Sequence, residues 1–160
     1  MTETSSGSRS ENRSARAPRR RPVVLLDANI LFLPPRNGFP LESEIDRLRP
    51  GAVPSVPTSV VVELDRLAEG GTPHARAARA FSDRFPRVPS VGRGDDAVVR
   101  TALRERASVA TADRDLGIRL LARGIEVLVP RDRHRLEIHS PRPAGAFRRR
   151  EPLRSAPGSS

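Results

Sequence analysis

Cysteine, lysine, tyrosine, tryptophan and glutamine are all missing from this 160-residue chain. Without cysteine there can be no disulfide, no thiolate nucleophile and no cysteine-based zinc site. Without lysine there can be no Schiff base, and no phosphate loop of the kind that ends in Gly-Lys-Ser/Thr. A receiver domain that gathers aspartates at strand ends is excluded on the same ground, because it needs a lysine amine beside its phosphoacceptor. No segment reaches the ~18 apolar residues that span a bilayer. The N-terminus has no apolar stretch ahead of a cleavage site, so a secretory signal is not expected and the protein is read as cytoplasmic.

What is abundant is arginine, which supplies all 29 basic residues against 19 acidic ones, for a net charge of +10. Arg, Ala, Pro and Gly all abound where Lys, Tyr and Asn are scarce, a bias that GC-rich coding produces, so part of the arginine excess is mutational. Its distribution is more telling. Residues 1–22 hold six Arg against Glu3 and Glu11, and residues 140–160 hold five against Glu151, so each end carries +4 and residues 23–139 only +2. Basic ends of this kind favour a polyanionic partner, because arginine–phosphate contacts release condensed counterions. Both ends are poor in apolar residues and are expected to be disordered tails around one domain, residues 23–139.

Within that domain, apolar runs alternate with helical spacing. Val23–Leu26 is an uninterrupted apolar run, as in a parallel strand buried on both faces. Pro34, Pro35 and Gly38 read as a break, and Leu41, Ile45 and Leu48 as one helical face. Residues 52–56 form a second strand. Thr58 is the expected cap of a helix that runs to Glu69 and stops at Gly70 and Gly71. Pro73 opens a helix with the stripe His74, Ala78, Phe81 and Phe85. Strands over 87–91, 108–112 and 125–129 then alternate with helices over 95–107 and 114–123, and residues 134–138 supply one more short strand. This alternation predicts an α/β fold with a parallel sheet covered on both faces.

Carboxylates sit where such a sheet binds ligands, beyond the carboxyl ends of its strands. Asp27 follows the first apolar run, Asp113 follows the strand over 108–112, and Asp95 and Asp96 open a helix on that side. Glu63 lies three residues after Val60 and four before Leu67, so it projects toward the packed side of its helix. A carboxylate there needs compensation, from an arginine such as Arg66 or Arg100 or from a hard cation. Clustered carboxylates suit Mg²⁺ or Mn²⁺, which activate water and neutralise a phosphodiester under attack. Each acid taken alone also has a plainer reading: Asp95 and Asp113 as helix caps, Asp27 as a turn residue. His74, His134 and His139 are scattered and read as surface or edge residues.

These residues together resemble a known family. Asp27-Ala28-Asn29 after an apolar strand looks like the opening Asp-x-Asn/Ser of PIN domains, and Val61-Val62-Glu63-Leu64 like their second acidic motif. Asp95-Asp96-Ala97-Val98-Val99 is similar to the third, an Asp-Ala pair followed by aliphatic residues. Thr111-Ala112-Asp113 is similar to the fourth, Thr-x-Asp. The resemblance covers about residues 23–139. It implies a Rossmann-like α/β/α sandwich and cleavage of single-stranded RNA with Mg²⁺ or Mn²⁺. Asp27, Glu63, Asp96 and Asp113 would then be the metal-binding acids, with Asn29 and Thr111 in support. Helical spacing suits Asp95 as well as Asp96, and the Asp-Ala match alone favours Asp96. The double Asp and the ending Arg133-His134-Arg135-Leu136-Glu137-Ile138 look like PIN proteins that process small-subunit rRNA precursors, with VapC-type toxins as the alternative. A PIN scaffold that binds RNA without cutting it is the remaining reading. The implied partners are an rRNA precursor, a ribosome-assembly factor or an antitoxin, and a second copy of the chain, but no membrane.

Overall fold

The computed structural model of the chain describes residues 20–143. The expected basic tails therefore lie outside the described residues, apart from 20–22 and 140–143. Five strands are parallel: β1 (Val23–Leu26), β2 (Val53–Pro57), β3 (Arg87–Val88), β4 (Ser108–Ala110) and β5 (Val127–Pro130). A sixth, β6 (Leu136–His139), closes one edge antiparallel to β5, so the sheet is mixed rather than wholly parallel. The order is β3-β2-β1-β4-β5-β6, and the chain reverses its direction of progress across the sheet between β1 and β4. That reversal opens a crevice beyond the carboxyl ends of these two strands.

The central strand behaves as its composition dictates. Val24, Leu25 and Leu26 are at most 1% exposed, although successive residues point to opposite faces. Both faces must therefore be covered, and the flanking helices cover them. Helix α4 (Thr58–Glu69) follows β2 without a loop and buries Val60 and Leu64. Helix α5 (Pro73–Ser82) packs against α4, and α6 (Gly94–Glu105) buries Ala97, Val98, Val99 and Ala102. Thr101 is also buried there, and its hydroxyl donates to the Ala97 carbonyl, 2.7 Å, inside its own helix. Helix α7 (Arg114–Ala122) leads into β5.

Several local expectations are corrected. Pro34 and Pro35 do not break the chain. They occupy the first turn of α2 (Leu33–Asn37), where a missing N–H costs nothing, and Gly38 ends that helix with a left-handed φ of 65°. Another short helix, α1 (Ala28–Leu31), precedes it. Thr58 does not cap α4, because its hydroxyl is engaged with Ser90. The cap of α5 is Thr72, which accepts from Ala75 N–H; the helix buries Ala75, Ala78 and Ser82, and of the expected stripe Ala78, Phe81 and Phe85 meet the core while His74 is exposed. Strand β3 is shorter than residues 87–91. Helix α6 stops at Arg106, whose left-handed φ of 50° ends it before Ala107.

The antiparallel edge is held by a clamp from α3 (Leu41–Leu48). The buried Glu44 accepts from Leu136 N–H, 2.9 Å, and Arg47 donates to the Leu136 carbonyl, 3.0 Å, while the two side chains pair with each other. The hydrogen bond from Arg47, opposed by burial, holds the Glu44 carboxyl below its usual range. Glu44→Ala leaves Leu136 N–H without its partner, a loss of about 1–3 kcal/mol. Its melting temperature should fall clearly below wild type, whereas that of the exposed Asp46→Ala should barely move. Because the folded pKa of Glu44 is depressed, the clamp contributes fully above the ordinary glutamate value and fades as pH drops through the lower folded one. The difference between wild type and Glu44→Ala should shrink accordingly in acid melts.

Candidate functional site

The crevice between β1 and β4 is built by one hydrogen-bonded knot. Leu26 pairs with Ala110 in the sheet register, and Asp27 N–H continues the ladder to the Ala110 carbonyl at 3.1 Å. One residue past β4, the fully buried Thr111 sends its hydroxyl toward Asp27 Oδ2, 2.9 Å, and Asn29 Oδ1, 3.2 Å. It accepts from Asp113 N–H at 3.0 Å, and Asn29 Oδ1 also accepts from Ala112 N–H at 2.9 Å. Asn29 and Thr111 thus join the two strand ends and orient the first acid.

Asp27 is 6% exposed and faces a cleft of about 370 Å³ that Asn29, Arg36, Glu63, Leu67, Asp95 and Asp113 also line. Burial pushes its carboxyl from 3.8 up to about 6. The Thr111 hydroxyl and the Ala28 backbone N–H oppose that rise, and the charges of Glu63 and Asp95 add to it. Glu63 is half-buried, as its place between Val60 and Leu67 predicts. Among the described residues it forms no ion pair with Arg66 or Arg100; Arg100 instead points its Nε at the Asp96 carbonyl. Asp113 caps α7 through Oδ1, which accepts from Asp115 and Leu116 N–H at 2.9 and 3.1 Å. Its capping role is therefore real, but it uses only Oδ1, and the same residue lines the cleft.

The third acid is where the structure departs from the sequence. Asp95 lines the cleft and Asp96 does not. Asp96 turns toward α7 and pairs with Arg119, whose hydrogen bond depresses its pKa; its side chain is 69% exposed against 45% for Asp95. The successive residues sit about 100° apart around the helix, so only one of them can face Asp27. Sequence reasoning missed Arg36, the one cationic residue lining the acidic cleft among the described residues, because the helix that carries it was read as a break. The three histidines are exposed, as expected.

Among the described residues no three Asp, Glu or His side chains stand close enough to cage a metal ion by themselves. The donor set is nonetheless all oxygen, and Asp27 is a buried acid with two acidic neighbours and no ion pair among the described residues. Such a cleft fits a hydrated ion of the Mg²⁺ type, which takes one or two carboxylates directly and keeps several waters.

A raised folded pKa means that ionising Asp27 opposes folding. In EDTA the penalty is absent below about pH 4 and complete above about pH 6, so stability falls across that window, by about 3 kcal/mol for a rise of about two pKa units. Asp27→Asn should melt higher than wild type at pH 7 without metal and lose this slope. A variant that melts lower at pH 7, with the slope intact, would show that Asp27 is not the strained group.

Known proteins share this fold. The chain matches the family model of a PIN like domain over residues 24–133. The structure of the PIN domain endonuclease Utp24 is similar to it with a TM-score of 0.62 at 25% identity, covering 74% of this chain and 92% of that one. A domain of a functionally unknown protein from Methanocaldococcus jannaschii DSM 2661 shares the fold at a TM-score of 0.55 and 16% identity, covering 69% and 92%. No curated protein matches the chain.

Proposed function

The chain belongs to the PIN-like domain family, and from the acids gathered at its strand switch point we propose that it is a divalent-metal-dependent endoribonuclease acting on single-stranded RNA. The observation that carries this reading is the cleft in which the buried Asp27 faces Glu63, Asp95 and Asp113. Among the described residues the cleft is lined by no histidine, serine or threonine, and the Thr111 hydroxyl behind Asp27 is already committed to that acid. Mg²⁺ or Mn²⁺ is the cofactor we propose, and Asp27, Glu63, Asp95 and Asp113 would hold it, directly or through its waters. Such an ion supplies an activated water and neutralises charge on the phosphodiester.

The chain's own residues do the rest. Thr111 fixes Asp27 by hydrogen bonding to one of its two oxygens, so the other oxygen is aimed rather than free to rotate. Asn29 holds the turn after β4 through Ala112 N–H, which places Asp113. Arg36 gives the cleft one positive charge for a phosphate oxygen. Within the family we place the chain with the proteins that process small-subunit rRNA precursors, on the double Asp and the Arg133–Ile138 ending. The sheet gives that ending a fixed place, since Leu136–His139 is the closing strand β6. A cytoplasmic site of action goes with this reading.

Purified protein should cut single-stranded RNA with Mn²⁺ or Mg²⁺ and stop in EDTA. Asp27→Asn should lose at least about two orders of magnitude in rate, the scale of one removed electrostatic stabiliser. Asp95→Asn should follow it, whereas Asp96→Asn, outside the cleft, should lose less, and only as far as the freed Arg119 turns to pair with Asp95. Cleavage that persists in Asp27→Asn after contaminating nuclease is excluded sinks the assignment. RNA binding with no cutting under any divalent ion would instead identify a scaffold.

A further inference from the structure

Beside the acidic cleft lies a second hollow of about 260 Å³, lined by Ser59, Val62, Glu63, Arg66, Arg93 and Gly94. Glu63 lines both, so the two are contiguous through one side chain. Arg66 rises from α4, one turn after Val62, and Arg93 stands immediately before α6. Neither arginine takes part in an ion pair or a side-chain hydrogen bond among the described residues, although arginines elsewhere in the fold, Arg79, Arg84 and Arg119 among them, are paired with acids. The hollow is also rigidly framed. The hydroxyl of Thr58 accepts from Ser90 N–H at 2.9 Å, and Ser59 N–H donates to Ser90 Oγ at 2.7 Å. These bonds tie the start of α4 to the segment that leads into Arg93. Ser59, which lines the hollow, has a buried hydroxyl oxygen that finds no partner among the described residues. Val62, 59% exposed, offers an apolar contact at the rim.

Two uncommitted guanidinium groups held by separate but locked elements, on a hollow that an unsatisfied hydroxyl also lines, make a site for an oxyanion. Its place next to the acids says which oxyanion. We propose that this hollow is a phosphate subsite, in which Arg66 and Arg93 grip the RNA backbone next to the phosphodiester lying in the acidic cleft. Val62 would meet the sugar or base of the same nucleotide. The subsite rests on the ribonuclease reading above for its substrate, but not for its existence. Arg66 and Arg93 are positioning residues: they hold the strand in register and do not touch the reacting phosphorus.

The test uses the full chain and a labelled single-stranded hexauridylate, bound in EDTA at several salt concentrations. Binding there needs no catalysis. Arg66→Ala/Arg93→Ala should weaken it by roughly ten- to a hundredfold, the loss expected for two charge-assisted hydrogen-bonding groups. The slope of log K against log salt should flatten by about 1.4, at about 0.7 counterion per phosphate contact on a single strand. Arg123→Ala/Arg133→Ala removes the same charge from exposed positions that line neither hollow, and should cost much less. In cleavage assays with Mn²⁺ the Arg66/Arg93 variant should raise KM and leave kcat close to wild type. A loss no larger than that of the Arg123/Arg133 control, or a wild type that does not bind the hexamer, overturns the subsite. Binding that depends on Arg66 and Arg93 without any cleavage supports the subsite while removing the proposed activity.

Discussion

The hydrogen bond from the Thr111 hydroxyl to Asp27 is the contact on which the cleft depends. Asp27 sits at the end of the most buried strand of the sheet, where a carboxylate loses nearly all of its water. An unpaired polar group in that position costs several kcal/mol, and Thr111 is the only side chain among the described residues that offers it a hydrogen bond. The same hydroxyl approaches Asn29 and receives Asp113 N–H, so the ends of β1 and β4 and the start of α7 are fixed together. The parallel ladder brings the strands to this point, but the knot sets the direction of the acids beyond it. The remaining strain in Asp27, visible in its raised pKa, is what a cation entering the cleft would relieve.

Charge is sorted across the fold in a way that its near-neutral total conceals. Around the periphery, acids and arginines neutralise each other: Asp65 and Asp83 with Arg79, Glu42 with Arg84, Glu126 with Arg49. At the switch point the two signs are kept apart. Among the described residues the cleft gathers Asp27, Glu63, Asp95 and Asp113 with Arg36, and the neighbouring hollow holds Arg66 and Arg93 beside Glu63. Exposed ion pairs are worth ~1 kcal/mol or less, so leaving the exposed groups unpaired sacrifices little stability, and the main cost falls on the buried Asp27. What it yields is a surface on which a divalent cation and a polyanion find complementary places side by side.

Much of this was legible from sequence because the signals were periodic. The apolar run Val23–Leu26, the strand-and-helix alternation and the acids at strand ends follow from burial patterns that have one solution in a parallel sheet. Glu63 was readable for the same reason, as an acid within an apolar helical stripe. What escaped depends on local chemistry that several conformations satisfy equally. Pro34 and Pro35 are compatible with a break or with a helical first turn, and only packing against α5 selects the helix that carries Arg36. Thr58 has the composition of a cap, but Ser90, distant in sequence, claims its hydroxyl. The antiparallel direction of β6 follows from its pairing with β5 and from the Glu44–Arg47 clamp, neither of which leaves a mark in the residues 134–138 themselves.

The adjacent pair Asp95-Asp96 shows how far a motif match can go. A pattern of residue types cannot separate two identical neighbours, whereas a helix separates them by about 100°. The buried face of α6, through Ala97, Val98, Thr101 and Ala102, fixes the rotation of the helix on the sheet. With that rotation set, Asp95 falls on the side of Asp27 and Asp96 on the side of α7. Arg119 reaches both, but it bonds Asp96 and stays 3.8 Å from Asp95. The second aspartate therefore has work of its own: it occupies an arginine that would otherwise have only the cleft acid to pair with. One residue of the pair keeps its charge available to the cleft because the other neutralises the nearest competitor.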